Sequence, residues 1–401
     1  MPLFARLPLC LSAMLSGLVL TWAAAVTPAH AQTIDTPAAH AFLLDTQTDT
    51  TLFAKDPDEP FPPASMSKMM TVYLLFEQIE AGTIALDDTA RVSTDAWKRW
   101  AGSEASLMFL REGEEVNFDN LIHGIIVSSG NDACTVAAEA VAGSEDLFAQ
   151  WMNEKAAELG MTNTRFQNAS GWPAEDQYTT ARDLATLARA TIEDFPELYR
   201  FYGETEFTYG KDFRSGEPIT QYNRNPLLFR MSDSADGLKT GHTKAAGYGL
   251  TASAKRDDRR LILVVSGLES QSQRARESRR LMEYGFRNFQ TYTLFEAGET
   301  VEDATVWLGQ SPKVPLVVEQ DITLTLSRKQ RNDMTVTLAY DGPVPAPIEP
   351  GQPLATLTVT TSDREPLTVP VVAGEAVAPI SGFGKVKAAL EYIVFGASTQ
   401  E

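Results

Sequence analysis

The chain has 401 residues, 43% of them hydrophobic, which is room for two or three domains with real cores and excludes wholesale disorder. With 53 acidic against 34 basic residues its net charge is −19, which argues against a nucleic-acid partner and repels anionic substrates at long range. Any site that takes a carboxylate must carry its own local cations.

Residues 1–31 read as a secretory leader. Arg6 gives a thin positive start, residues 7–26 are mostly apolar, and Ala29-His30-Ala31 fits a small-x-small cleavage site before Gln32. The same stretch also fits an uncleaved membrane anchor. Cys10 is poorly placed for a lipoprotein signal, because Leu9 precedes it where a small residue is expected. The leader holds one arginine and no acid, so its removal takes the net charge from −19 to −20. It also leaves Cys134 as the single cysteine, which excludes an internal disulfide. Cys134 sits in an alanine-rich run and reads as a buried structural thiol. The four histidines show no metal-ligand spacing, and no cofactor is implied.

Residues 39–45 read as a strand and 50–54 as its hairpin partner. Pro62-Pro63 sets a stop, and residues 67–81 follow as a helix. Residues 87–115, which include Trp97 and Trp100, read as loops with short pieces of structure. Helices are expected over 118–127, 133–142, 147–159 and from 179 to about 192, with a break at Ser128-Ser129-Gly130-Asn131-Asp132. Strands follow at 206–209, 247–254 and 260–266, the last two as a hairpin, and then a helix over 274–289. Strands at both ends of the region with helices between imply an α/β layered domain.

After about Leu294 short runs of alternating Val, Leu and Thr recur, separated by Pro and Gly, and imply a small all-β domain. Residues 383–395 read as an amphipathic helix. Phe383, Val386, Leu390, Ile393 and Val394 fall within one arc of about 100°, which suits a helix lying on a membrane surface. A last helix docked on the β domain fits as well.

The chemistry gathers in three motifs. In Ser65-Met66-Ser67-Lys68 the serine falls where the helix starts and the lysine comes three residues later, on the same face. That places an amine within reach of a hydroxyl at the positive end of a helix dipole, the minimum for a lysine-activated serine. Alone, the pair equally fits a capping serine and a solvated lysine. Ser129-Gly130-Asn131 stands at the break between two helices. Lys239-Thr240-Gly241, followed by His242-Thr243, comes just before the strand pair. Each is common by itself; their order and spacing together are not.

This ordered set resembles the signature of β-lactamases and penicillin-binding proteins. The chain is similar to the low-molecular-mass penicillin-binding proteins that act as serine D-alanyl-D-alanine carboxypeptidases. The similarity extends to Ser106-Leu107-Met108-Phe109, to Asp132-Ala133-Cys134 after the second motif, and to Asp236-Gly237-Leu238 before the third. It is strong over residues 39–290 and looser after them. Glycine in the second motif, where β-lactamases usually carry aspartate, favours the carboxypeptidase branch.

The resemblance implies a β-lactamase/transpeptidase-like α/β (α+β) catalytic domain over 32–293, its sheet mainly antiparallel and flanked by helices. An all-β domain follows over 294–380, and an amphipathic membrane-anchoring helix and tail over 381–401. It implies export to the periplasm, on the outer face of the inner membrane. The implied partners are a peptidoglycan stem peptide ending in D-Ala-D-Ala, β-lactam antibiotics and the membrane surface.

On this reading Ser65 is the nucleophile and neutral Lys68 its base, with Lys239 and the helix N-terminus lowering the lysine pKa. Ser129 relays a proton to the leaving amine, and Asn131 holds Lys68 and the substrate amide. The Ser65 and His242 backbone N–H groups form the oxyanion hole. Lys239, Thr240, Gly241, Arg274 and Arg224 line the substrate-binding side. The His242 side chain reads as structural. A β-lactamase, a D,D-endopeptidase and a silent wall- or penicillin-binding protein stand as alternatives.

Overall fold

A computed structural model describes residues 34–212 and 214–382. The expected leader and the expected helix over 383–395 lie outside the described residues.

The catalytic region opens with β1 (His40–Asp45) and its hairpin partner β2 (Thr50–Lys55). A 3-10 turn, Ala64–Ser67, runs into α1 (Lys68–Glu80). Every residue of α1 from Lys68 to Phe76 is buried. A helix with no polar stripe has to be surrounded, and α1 sits inside an extensive apolar cluster. Around it lie β3 (Thr89–Arg91), α2 (Thr94–Trp100), β4 (Glu115–Asn117), α3 (Phe118–Ile126), α4 (Asn131–Ala142), α5 (Glu145–Glu158) and α6 (Ala181–Asp194). The region expected as loops therefore holds α2, which Ser93 caps by accepting from the Ala96 N–H.

A two-stranded ribbon, β5 (Glu206–Lys211) and β6 (Pro218–Tyr222), precedes the short α7 (Leu227–Arg230). Next come β7 (Ala235–Thr243), β8 (Gly247–Arg256), β9 (Arg259–Leu268) and α8 (Gln271–Asn288). The main sheet runs β2-β1-β9-β8-β7 with every neighbour antiparallel. Its central strands are buried on both faces, which is why residues 261–265 read as one apolar run. Phe42, Leu44, Ile262 and Val264 face the core around α1. Leu43 and Leu261 face α8, where Gly285 leaves them space.

Strand β10 (Phe289–Phe295) leaves α8 and spans the boundary expected at residue 293. The rest is β11 (Thr300–Trp307), β12 (Lys313–Val317), β13 (Ile322–Ser327), α9 (Arg328–Asp333), β14 (Thr335–Tyr340), β15 (Val344–Pro345), β16 (Pro353–Thr360) and β17 (Leu367–Ala373). β10 pairs with β13, and the other six strands form one sheet over a separate apolar core. The antiparallel sheet with its helices and the β domain after it are the architecture expected from the sequence. No described helix is long and apolar enough to cross a membrane.

Candidate active site

The site forms where the turn before α1, the start of α4, the loop 168–172 and the edge strand β7 meet. Ser65 stands in the 3-10 turn and is half-buried, rather than at the helix N-cap, which Ser67 occupies without a side-chain capping bond. One helical turn on, Lys68 is fully buried and its Nζ lies 3.1 Å from Ser65 Oγ. The same amine donates to Asn131 Oδ1 at 2.6 Å and to the Ser170 carbonyl oxygen at 2.5 Å.

Asn131 is the first residue of α4, with Gly130 at the N-cap. A Cβ on Gly130 would crowd Asp132 Oδ1 and the Met108 backbone nitrogen. The buried Asp132 carboxylate accepts from the backbone N–H groups of Met108, Phe109, Leu110 and Ala133. The Asn131 N–H donates to the Ser106 carbonyl. The loop after α2 is thereby tied to the second motif.

Lys239 lies within β7, so the third motif is inside a strand rather than ahead of one. Its Nζ donates to Ser129 Oγ at 3.0 Å and to the Thr240 carbonyl. Strand alternation puts Lys239 and Gly241 on one face. That face meets the serine turn, since a Cβ on Gly241 would stand 3.0 Å from the Pro63 carbonyl oxygen. Thr240 is buried; His242 is exposed and stacks on Tyr248.

The two arginines approach from outside this centre. Arg224 donates to Ser106 Oγ and to the Ser128 carbonyl. Arg274 is 6% exposed, donates to the Arg224 carbonyl and lies over the Tyr248 ring, and its Nε has no hydrogen-bond partner. Lys68, Lys239, Arg224 and Arg274 thus gather four basic side chains at one place in an acidic chain.

Burial lowers the Lys68 pKa to about 8, helped by the Arg224 charge and partly offset by the Asp132 and Glu145 carboxylates. Lys239 is held well below the ordinary lysine range, by burial first and then by the charge of Lys68. Burial is the largest cause of the Lys68 depression, Arg224 adds to it, and the like-charge interaction between Lys68 and Lys239 acts on the same pair. Burial also lowers Arg274, to about 10, and lowers His242. Cys134 is buried and pushed up to about 12, so it stays a thiol. Among the described residues no group of His, Cys, Asp or Glu is arranged to hold a metal ion.

Sequence reasoning missed Ser170. The signal was present in Asn168-Ala169-Ser170-Gly171, a polar turn cluster between two helices. The Asn168 carboxamide oxygen accepts from the Ser170 and Trp172 N–H groups. Gly171, at φ +73°, lets the loop close on the turn at Ala64.

A family model described as D-alanyl-D-alanine carboxypeptidase matches residues 25–270, and one described as penicillin-binding protein 5, C-terminal domain, matches 289–379. The chain is 37% identical to the D-alanyl-D-alanine carboxypeptidase DacC of Escherichia coli K12, over 88% of each chain. It is 35% identical to DacD of the same strain over 95% of this chain and 97% of the other. Among solved structures, DacD from Francisella tularensis superposes with a TM-score of 0.74 at 30% identity, covering 86% of this chain and 95% of the other. Penicillin-binding protein 5 from Haemophilus influenzae gives 0.71 at 32% identity, covering 86% and 98%.

Proposed function

Because the chain belongs to the D-alanyl-D-alanine carboxypeptidase family, and so is a serine hydrolase that removes terminal D-alanine from peptidoglycan stem peptides and binds penicillins, we propose the following division of labour among its residues. Ser65 Oγ attacks the carbonyl carbon of the bond between the two D-alanines. Neutral Lys68 takes the hydroxyl proton. The nitrogen of the terminal D-alanine leaves with a proton passed through Ser129, and water then cleaves the ester on Ser65.

The observation that supports this most is the partner set of Lys68 Nζ. A neutral amine has two hydrogens and one lone pair. Two oxygens that can only accept, Asn131 Oδ1 and the Ser170 carbonyl, take the hydrogens. The lone pair is left for the one neighbour that can donate, the Ser65 hydroxyl. Burial favours the same neutral state.

The substrate carboxylate is assigned to Arg274, Lys239 and Thr240, with Arg224 behind them. The buried, unpartnered Arg274 Nε supports this, since a buried donor without a partner is costly until something fills it. The backbone N–H groups of Ser65 and His242 are assigned to the oxyanion, on strand and turn brought together by Gly241. The domain division at 32–293 and 294–380 belongs to the same proposal.

Incubation of the protein with a pentapeptide ending in D-Ala-D-Ala, followed by mass analysis, tests the activity. Loss of one alanine by the wild type and none by Ser65→Ala is expected. Continued D-alanine release by Ser65→Ala sinks the mechanism. We also propose export and attachment to the outer face of the inner membrane through residues 383–395. Truncation at Ser381 should free the protein from membranes, and an unchanged membrane fraction refutes the anchor.

A further inference from the structure

Glu145 opens α5 and lies outside every motif, yet its side chain is only 9% exposed. Its Oε1 accepts from the Ala169 N–H at 3.0 Å, and its other oxygen is paired with Arg99 on α2. The Thr71 hydroxyl on α1 donates to the Ala169 carbonyl. Ala169 is therefore gripped at both its backbone groups. The next residue presents the carbonyl that receives a hydrogen from Lys68.

A neutral side chain could hold one N–H equally well. Burying a carboxylate for that purpose carries a desolvation cost that a buried ion pair has to recover. The charge therefore calls for a second use, and Lys68 is a nearby group that feels it, as Cys134 does.

We propose that Glu145, set in place by Arg99, is a positioning residue for the base: it fixes Ala169 and so the Ser170 carbonyl that aims Lys68 Nζ at Ser65. This rests on the reading of Lys68 as the base. Its carboxylate also favours the ammonium form of Lys68, so it raises the pH at which the base becomes available, against the larger effect of burial. The other titratable groups around the two residues are Arg99 on α2, Asp132 and Cys134 on α4, Lys239 on β7, and Arg224.

The test is the second-order rate of acylation by a fluorescent penicillin, measured across pH. Acylation by the wild type rises along an acid limb as Lys68 loses its proton, then levels. Glu145→Ala loses the grip and the charge; its plateau falls about tenfold and its limb moves to lower pH. Glu145→Gln keeps an acceptor and drops the charge; it recovers the plateau to within about threefold while its limb stays displaced to lower pH. Arg99→Gln unshields the carboxylate, and its limb moves to higher pH. A merely structural role would change the melting temperature and leave the limb in place.

An unchanged limb in Glu145→Gln and Arg99→Gln overturns the proposal. The side chain of Arg99 is 43% exposed, so this arm survives if Glu145→Ala does not fold. A wild-type profile with no acid limb, or acylation that persists in Lys68→Ala, overturns the base assignment itself and is told apart by those two observations.

Discussion

Gly171 lies against Ala64 so closely that a Cβ on the glycine would stand 1.8 Å from the Ala64 carbonyl oxygen. Its φ of +73° also disfavours any L side chain. Gly171→Ala should push the 168–172 loop away from the serine turn and take the Ser170 carbonyl from Lys68. Penicillin acylation is expected to fall about 100-fold, since an ångström of misplacement is enough for that. Stability should fall by about 2 kcal/mol. Labelling rates and urea melts check both; a wild-type rate in the folded variant contradicts the role given to this loop.

The titration of Lys68 should be visible twice. Acylation should rise with pH through a midpoint near pH 8 and level above it. Stability should rise as well, because the folded pKa lies below the unfolded one. Between about 8 and 10.5 the unfolded chain holds the proton and the native amine does not. The penalty is complete below that window, at about 3 kcal/mol, and vanishes above it. Denaturant melts across pH should show this component in the wild type and lack it in Lys68→Ala.

Asp132 joins four backbone N–H groups, three of them in the loop after α2. Burial raises its pKa against those bonds, so the carboxylate is held at some expense. Asp132→Ala should destabilise the protein by about 3 kcal/mol, because buried donors lose their acceptor. It should also slow acylation about tenfold by releasing Ser106, which anchors Asn131 and Arg224. Asp132→Asn, which keeps one acceptor oxygen, should be milder in both assays.

Asp45 is fully buried where the catalytic sheet meets the β domain. It accepts from Arg259 Nε at 2.6 Å and from the Thr325 hydroxyl on β13, while Arg259 also donates to the Phe289 carbonyl on β10. Asp45→Ala should cost about 3–5 kcal/mol, because it strands the Arg259 charge. Urea melts measure the loss. The penicillin labelling rate of the folded fraction should stay that of the wild type, as none of these groups touches the site.

The legible part of this protein was whatever repeats with a period or forms a motif. Residues 261–265 announced themselves as an apolar strand run and the α1 segment as a helical run with few breakers, and three short motifs marked Ser65, Lys68, Ser129, Asn131 and Lys239. Strand β7 escaped because Asp236-Gly237 and Thr240-Gly241 interrupt any alternation; its glycines serve close approach, not strand propensity. Strand β11 was hidden by Glu302 and Asp303, which face solvent. The turn at 168–171 could be read as a turn, but the tasks of Ser170 and Glu145 could not, for another reason. One contributes a backbone oxygen and the other acts through Ala169, so neither residue type points to its task.

The Ser65 turn continues directly into the helix that the rest of the first domain encloses. Local opening in proteins draws on segments with few apolar contacts and exposed backbone, and α1 has neither over its first nine residues, Lys68 to Phe76. Fluctuations that would swing Lys68 away from Ser65 must therefore breach the core itself. Amides in the first turns of α1 should exchange with solvent only through global unfolding, so Ser65 and Lys68 have no separate melting point of their own.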